Sequence, residues 1–253
     1  MQIRFTYLFE LELILKPGIW MAKRRFSSLP IGEAQDTDGH TPLHLAAYRG
    51  HENIIRPIID SGANVEARDK DDNTPLLCAA YNGREAIVRR LLLGGANIEA
   101  KDIDGWTPLF WAAYMDHSAI ARLLVERGAK TEAKDEHGWT PLRWAVRYGR
   151  VALVKVLLDT GVVDVNSTDR SNKPLVSCAY EYGQYDIVRT LLRTRQIDLL
   201  ANNNDSWLLH WAVAVNEKEM ITLLLDGGVN LDTKDSEDRT AFWVAVYWDN
   251  LLG

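Results

Sequence analysis

Carboxylates, imidazoles and thiols are the side chains through which this sequence could do chemistry, and their spacing builds no reactive site. Asp69, Asp102 and Asp135 recur at intervals of 33 residues, and like Asp235 they occur in turn sequences, where aspartate commonly hydrogen-bonds the local backbone. Carboxylates spaced in this way are not an acid–base pair. The six histidines show no metal-ligand pairing, and no phosphate-binding glycine loop, nucleophile elbow or kinase signature is present. The sequence predicts no catalytic residue, no cofactor site and no metal site.

Two of the histidines and both cysteines fit structural roles better than chemical ones. His44 and His210 each follow the start of a repeating motif by three residues, where an imidazole can bond to the helix and to neighbouring backbone. Cys78 and Cys178 are too few for a disulfide framework and lack zinc-ligand spacing. We therefore expect satisfied imidazoles and two reduced, packed thiols, as in an intracellular protein of the cytoplasm or nucleus.

Charge and hydropathy limit the kinds of partner. The formal net charge of −6 argues against nucleic acid, because phosphate binding needs clustered lysine and arginine. The apolar stretch from Ile3 to Leu15 is interrupted by Arg4 and Glu10 and is too short to span a bilayer. We expect a protein partner, and neither nucleic acid nor membrane.

Tyrosines are the side chains best suited to binding a protein. Tyr48, Tyr81, Tyr114, Tyr148 and Tyr182 recur about once every 33 residues. Tyrosine anchors interfaces because it offers a large contact area and loses little rotamer entropy. For each tyrosine the sequence leaves two interpretations open, an interface anchor or packing against neighbouring residues.

An internal repeat positions all of these residues. Thr-Pro-Leu begins at Thr41, Thr74, Thr107 and Thr140, with an interval of 33 residues each time. A fixed period of this size is typical of a stacked array. In each unit the threonine can cap a helix, the proline fits its first turn, and small and apolar residues follow at helical spacing. A second helix and an extended turn complete the unit.

The period sets the expected domain organisation. The repeats are predicted near 41–73, 74–106, 107–139, 140–173, 174–206 and 207–239, with a partial repeat at 240–253. Residues 1–33 do not fit the pattern, and we expect a non-repeat segment there, followed by a repeat domain over 34–253.

Two places break the pattern. Pro57 falls inside the second helix of the first repeat, where proline removes a hydrogen bond, so a kink or a shortened helix is expected. The partial repeat carries Phe242, Trp243 and Val246, and also Trp248, Leu251 and Leu252, without a second helix to cover them. We expect some of them to face water. They would be covered by more of a longer array, by another protein or by a second copy, or they would fold back as a cap.

These repeats resemble the ankyrin family over roughly 34–250. The form Gly-Trp-Thr-Pro-Leu followed by Trp-Ala-Ala is also similar to arrays in large fungal proteins, including NOD-like receptors. The resemblance implies an all-α repeat solenoid with short β-hairpin-like turns. It also implies a generally non-enzymatic protein that binds other proteins through the hairpin tips and the concave surface of the first helices.

Position by position, the resemblance implies two groups of partner-binding residues. The hairpin tips would present Lys70, Asp71, Asn73, Ile103, Asp104, Trp106, Glu136, His137 and Trp139. The concave first-helix surface would present Tyr48, Arg49, Tyr81, Asn82, Tyr114, Met115, Arg147, Tyr148, Glu181 and Tyr182. Trp106 and Trp139 are expected as exposed aromatic tips, and Arg143 and Arg147 as groups available to acidic parts of the ligand.

The sequence therefore predicts a non-enzymatic protein–protein interaction module. The alternative is a sensor or targeting fragment of a larger protein, such as an enzyme, a NOD-like receptor or a ubiquitin-ligase adaptor, whose catalytic part lies outside this chain. No helical docking box of the kind such an adaptor needs is found. A longer reading frame around this one would separate the two hypotheses.

Overall fold

The computed structural model describes residues 34–198 and 206–252 of the 253-residue chain. The predicted non-repeat segment, residues 1–33, lies outside the described residues. Within these ranges the chain forms thirteen α-helices, and extended backbone pairs only at the isolated bridges Thr168–Pro174 and Lys234–Thr240. The predicted all-α repeat architecture is confirmed.

The helices occur in pairs joined by short turns, and hairpin-like loops connect one pair to the next. The first helices are α1 (Pro42–Arg49), α3 (Pro75–Tyr81), α5 (Pro108–Tyr114), α7 (Pro141–Arg147), α9 (Leu175–Glu181), α11 (Ser206–Ala214) and α13 (Ala241–Leu252). The second helices are α2 (Glu52–Asp60), α4 (Glu85–Leu93), α6 (Ser118–Glu126), α8 (Val151–Asp159), α10 (Tyr185–Arg193) and α12 (Lys218–Asp226).

Threonine caps begin four of the first helices, as the sequence predicts. The hydroxyls of Thr41, Thr74, Thr107 and Thr140 each accept the backbone N–H three residues later, at 3.3 to 3.5 Å. The proline that follows each threonine occupies the first turn, where its missing N–H costs nothing. Pro174 stands where α9 would have its threonine and supplies no side-chain cap.

The chain divides into two compact units, residues 1–136 and 137–253. The first unit contains α1 to α6, and the second contains α7 to α13. In the first unit α3 packs between α1 and α5, while α4 packs between α2 and α6. In the second unit α7 packs on α9 and α11 on α13, and α10 packs between α8 and α12.

Small residues allow the first helices to pack closely. In the first unit the alanine pairs of α1, α3 and α5 are fully buried: Ala46, Ala47, Ala79, Ala80, Ala112 and Ala113. Leucines at the start of the same helices, Leu43, Leu76 and Leu109, are no more than 1% exposed. One helix pair cannot bury all of its own apolar side chains. The core is therefore shared between neighbouring repeats.

Pro57 does not shorten its helix. Helix α2 contains nine residues, as α4 does, so of the two expected effects, a kink or a shortened helix, the shortening is not found. The proline ring is exposed, while Ile54, Ile55 and Ile58 are buried. Burial of these isoleucines holds α2 together although Pro57 cannot donate a hydrogen bond to the turn before it.

Replacing Pro57 with arginine should stabilise the protein. Arg90 occupies the same position in α4, also the sixth residue of nine, and is exposed. Pro57→Arg restores one helical hydrogen bond, so we expect the free energy of unfolding to rise by up to about 3 kcal/mol. Urea denaturation followed by circular dichroism measures this change. The matched control, Arg90→Pro, should lower stability, and an unchanged midpoint for Pro57→Arg would contradict the assignment.

Candidate functional site

An aspartate lies five residues before each capping threonine, in the hairpin of its repeat. In the first unit these residues are Asp36, Asp69, Asp102 and Asp135. Asp69 Oδ1, for example, accepts the backbone N–H of Asp71 at 2.9 Å and that of Asn73 at 2.8 Å. The predicted role of the recurrent aspartates in bonding local backbone is confirmed at Asp69 and Asp102.

Neighbouring hairpins of the first unit are joined through their backbones. The N–H of Lys70 donates to the carbonyl of Asp38, and the N–H of Ile103 donates to the carbonyl of Asp71, both at 3.0 Å. Asp38, Asp71 and Asp104 therefore occupy the same place in three successive hairpins. Their side chains are all exposed.

A groove of about 740 Å³ lies between these hairpins and the first helices of the first unit. On the helix side Tyr48 and Tyr81 are 37% and 36% exposed. Trp111 packs edge-on against Tyr81, with ring centres 4.9 Å apart. The Trp111 indole N–H also donates to Asp102 Oδ2 at 2.7 Å, so the wall of the groove is tied to a hairpin.

Carboxylates dominate the charge of this groove. Among the described residues that line it are five aspartates and one lysine, namely Asp38, Asp69, Asp71, Asp102, Asp104 and Lys70. Asp69 and Asp102 are buried and serve the hairpins. Burial raises the pKa of Asp102, although hydrogen bonds from the Trp106 backbone and the Trp111 indole oppose this. Within the described part of the chain, no ion pair engages Asp38, Asp71 or Asp104.

His44, which lines the same groove, is a structural residue. Its Nε2–H donates to the Asn73 carbonyl at 2.9 Å, and its Nδ1 accepts the backbone N–H of Thr41 at 3.1 Å. Burial lowers the pKa of His44, which keeps the imidazole neutral. His210 repeats the interaction with the carbonyl of Arg239 at 2.7 Å, so the prediction of satisfied imidazoles is confirmed.

The acids of the first hairpin bring potential metal ligands together. One ligand atom each from Asp36, Asp38 and His40 lies within 4.8 Å of the others. Asp36, however, already accepts hydrogen bonds from the backbones of Asp38 and His40 and from the His40 ring. Burial alone would raise the pKa of Asp36, but these hydrogen bonds outweigh burial and lower the pKa. The hydrogen bonds that form the hairpin explain why these three side chains lie close together.

Both cysteines are free thiols. Burial raises the pKa of the Cys78 thiol to about 12 and also raises the pKa of Cys178. A thiol with a raised pKa is a poor nucleophile because little thiolate forms at neutral pH. The two residues therefore act as packed side chains.

In the second unit an arginine of the chain itself lies among the aromatic residues. The Arg147 guanidinium lies 4.9 Å from the ring centre of Trp139 and 4.4 Å from that of Tyr182, and it donates to the Tyr182 hydroxyl. Tyr148 stacks on Trp144, with ring centres 5.3 Å apart. Arg147 is thus already engaged by its own repeats.

Arg143 is not available to a ligand, and the expectation that it would meet acidic groups is wrong. Its side chain is 1% exposed. The guanidinium donates to the carbonyls of Ser167 and Lys173 at 2.8 and 2.7 Å and lies 3.5 Å from Asp169. It replaces the histidine that occupies this position in the first and sixth repeats.

The repeats match a known protein family. The family model for ankyrin repeats (3 copies) matches residues 22–102, 54–135, 88–169, 133–205 and 175–252. The chain belongs to the ankyrin repeat family. Proteins of this family are generally protein–protein interaction modules and are typically non-catalytic.

An ankyrin repeat protein of Fowlpox virus (strain NVSL) is similar to part of the chain. The two are 32% identical over 87 residues, which are 34% of this chain and 20% of the viral protein. The chain thus matches about a fifth of the length of that relative. Among the described helices of this ankyrin repeat chain, none is long and apolar enough to cross a membrane.

The predicted site residues differ in exposure. The exposed ones are Tyr48, Lys70, Asp71, Tyr81, Asp104, Glu136, His137, Tyr148 and Tyr182. The half-buried ones are Arg49, Asn82, Trp106, Tyr114, Met115, Trp139 and Arg147. The first-unit groove brings together Tyr48, Lys70, Asp71, Tyr81, Asn82 and Asp104.

The two tryptophans expected at exposed tips lie against their own repeats. Trp106 packs on Trp111 and Tyr114, with ring centres 4.6 and 5.4 Å apart, and Trp139 packs on Trp144 at 5.2 Å. The expectation that they project as exposed aromatic tips is wrong, because each indole finds apolar neighbours in the first helix that follows it.

Sequence reasoning missed two features of the site. Asp38, His40 and Trp111 line the groove, and the interval of 33 residues from Asp38 to Asp71 and to Asp104 could have revealed the first of them. The tyrosines also occupy two registers. Tyr48, Tyr81 and Tyr114 lie in the last turns of α1, α3 and α5, whereas Tyr148 and Tyr182 follow the last residues of α7 and α9.

Mild acid should destabilise the first repeat through His44. An unfolded histidine binds a proton near pH 6.5, whereas the folded pKa of His44 is lower. As the pH falls from 7 to 5 the unfolded chain gains a proton that the folded chain resists. The free energy of unfolding should therefore fall by at most about 1.4 kcal/mol per pH unit from this group.

Urea denaturation at pH 7, 6 and 5 tests this contribution. His44→Leu places at this position the residue found as Leu77 in the next repeat. The variant should be less stable at pH 7, because the Asn73 carbonyl loses its donor, but its stability should depend less steeply on pH. Equal slopes for the variant and the unaltered protein would show that His44 does not carry the effect.

Proposed function

We propose that this chain is a non-enzymatic protein-binding module whose partner lies in the groove of the first unit. The observation that carries the proposal is the juxtaposition of exposed tyrosines on the helix side with exposed aspartates on the hairpin side. Interfaces use large aromatic anchors surrounded by polar groups. In this proposal residues 34–253 form the binding domain, residues 1–33 lie outside it, and the protein acts inside the cell.

Neighbouring repeats hold the groove tyrosines in place. Arg84 Nε donates to the Tyr48 carbonyl at 3.4 Å, and His117 Nε2 donates to the Tyr81 carbonyl at 3.0 Å. The end of each first helix is therefore fixed by the repeat that follows it. A surface that is ordered before binding loses less entropy when a partner arrives.

The second unit offers a different binding surface within the same proposal. Tyr148 and Tyr182 are exposed at the ends of α7 and α9, and the half-buried Trp139 and Arg147 support them. On this surface the Arg147 guanidinium already lies over two aromatic rings of its own unit. The first unit instead has an open groove. In the alternative function the same module recruits partners for a larger protein. A longer reading frame around this one would show the rest of that protein.

Photo-crosslinking tests whether the groove binds protein. The photoreactive residue p-benzoylphenylalanine is placed at Tyr81 in the full chain, and at the exposed Arg122 of α6 as the matched control. In cells of the source organism we expect discrete protein adducts from position 81 and few from position 122. Equal adducts from both positions would contradict the proposed surface.

Competition then measures how much the tyrosine contributes. An excess of the unaltered chain should abolish the adducts at position 81. The Tyr81→Ala chain should compete less well, because truncating a hot-spot tyrosine costs at least about 1 kcal/mol of binding free energy. Equal competition by the two chains would remove Tyr81 from the binding surface.

A second copy of the chain is a further candidate partner, because α13 exposes apolar side chains. Phe242 is 76% exposed, Trp243 46%, Val246 44% and Tyr247 50%, while Ala241 and Val244 are buried against the rest of the unit. Trp243 and Tyr247 stack with ring centres 5.0 Å apart. Contiguous exposed apolar surface of this kind favours association.

Light scattering coupled to size-exclusion chromatography tests self-association. We expect a mass above that of the 28.6-kDa monomer at high protein concentration. Phe242→Ser combined with Val246→Ser should restore the monomer, because both side chains are exposed and their removal leaves the core of the unit intact. Leu93→Ser, at another exposed apolar residue, is the control and should leave the mass unchanged. A monomer at every concentration would contradict self-association.

A further inference from the structure

We propose that the groove of the first unit recognises an extended, arginine-containing segment of its partner. This inference rests on the proposed protein-binding function and specifies the chemistry of the ligand. The segment lies along the groove, its guanidinium groups stack on Tyr48 and Tyr81, and they pair with the carboxylates of Asp38, Asp71 and Asp104.

Charge complementarity selects a cationic ligand. The carboxylates of Asp38, Asp71 and Asp104 are exposed and recur once per hairpin along one side of the groove. Lys70 is the one lysine or arginine among the described lining residues. A row of carboxylates along one groove repels an acidic segment or a phosphate backbone and attracts a basic segment.

The aromatic side of the groove favours arginine over a simple point charge. Guanidinium groups stack on aromatic faces and also form forked hydrogen bonds with carboxylates, whereas the ammonium group of lysine is compact and strongly hydrated. Tyr48 and Tyr81 supply the faces, and the aspartates supply the acceptors. Both kinds of group line the same groove.

The second unit shows that this scaffold can hold a guanidinium between aromatic rings. Position seven after the repeat start is Tyr48, Tyr81 and Tyr114 in the first three repeats, but Arg147 in the fourth. There the guanidinium lies within 5 Å of the ring centres of Trp139 and Tyr182. The fourth repeat thus supplies its own arginine at a position where the first unit presents tyrosines to a ligand.

The repeat spacing fixes the spacing of the arginines. Packed helices lie about 8–10 Å apart, and the aspartates advance by one repeat at a time. A polyproline-II segment advances about 9 Å per turn of three residues and turns every third side chain to the same side. Arginines at every third position of such a segment would each meet one of the aspartates.

Fluorescence anisotropy with defined peptides tests this inference on the full chain. The probe is a fluorescein-labelled peptide, Arg-Pro-Ala-Arg-Pro-Ala-Arg. One control has the same composition with the three arginines contiguous, and the other has citrulline, a neutral isostere, in place of each arginine. We expect the spaced peptide to bind best, the contiguous peptide roughly fivefold more weakly, and the citrulline peptide not to bind. Equal binding of the citrulline peptide would overturn the proposal.

Variants in which amides replace carboxylates test where the peptide binds. Asp71→Asn combined with Asp104→Asn keeps the shape of the groove and should weaken binding of the spaced peptide roughly fivefold. Asp60→Asn combined with Glu126→Gln removes the same charge from exposed positions on α2 and α6 and should leave binding unchanged. Equal weakening by both pairs would show attraction to net charge alone and would overturn the assignment.

The crosslinking experiment separates this inference from the function on which it rests. Excess spaced peptide should prevent the protein adducts at position 81. Adducts that the unaltered chain abolishes but the peptide does not would overturn the basic ligand and leave protein binding intact. Peptide binding in the groove without any protein adduct would instead remove the protein-binding function.

Discussion

Within each unit of this protein, a helix pair buries its apolar side chains against the neighbouring pair, and no pair could bury them alone. In the first unit Leu43, Leu76 and Leu109 are almost fully buried, and the fully buried alanines beside them let neighbouring helices approach closely. Stability in such an array comes from each repeat and from its interfaces with its neighbours. This is why α2 keeps its full nine residues around Pro57: the buried isoleucines of the helix outweigh one missing hydrogen bond.

The hairpins inherit their regular spacing from that packing. Because successive first helices stack directly, the loops between pairs align, and their backbones bond to one another from Lys70 to Asp38 and from Ile103 to Asp71. The buried aspartates Asp69 and Asp102 accept hydrogen bonds from the N–H groups of their own loops. The exposed aspartates are therefore placed by the core, although they contribute nothing to it.

The same scaffold carries two different surfaces. In the first unit the exposed carboxylates and the tyrosines face an open groove. In the second unit the buried Arg143 donates to two backbone carbonyls and lies beside an aspartate. Arg147 lies over two aromatic rings. Two hydrogen bonds from Nη2 and the nearby Asp169 carboxylate replace part of the water that the buried Arg143 guanidinium loses. Arginine at position 147, where the first three repeats carry tyrosine, thus binds to aromatic rings of its own unit.

The sequence by itself determined the repeat, the family, the threonine caps and the hairpin aspartates, because each depends on residues close together in the chain. The exposure of a side chain depends instead on the neighbouring repeat and on the first helix that follows a hairpin. Tertiary structure alone decided that the half-buried Trp106 and Trp139 pack on the first helix that follows each of them and that Arg143 is buried. It also decided that Asp38 and Trp111 join Tyr48 and Tyr81 in one groove, since residues from three repeats meet there only after the helices have stacked.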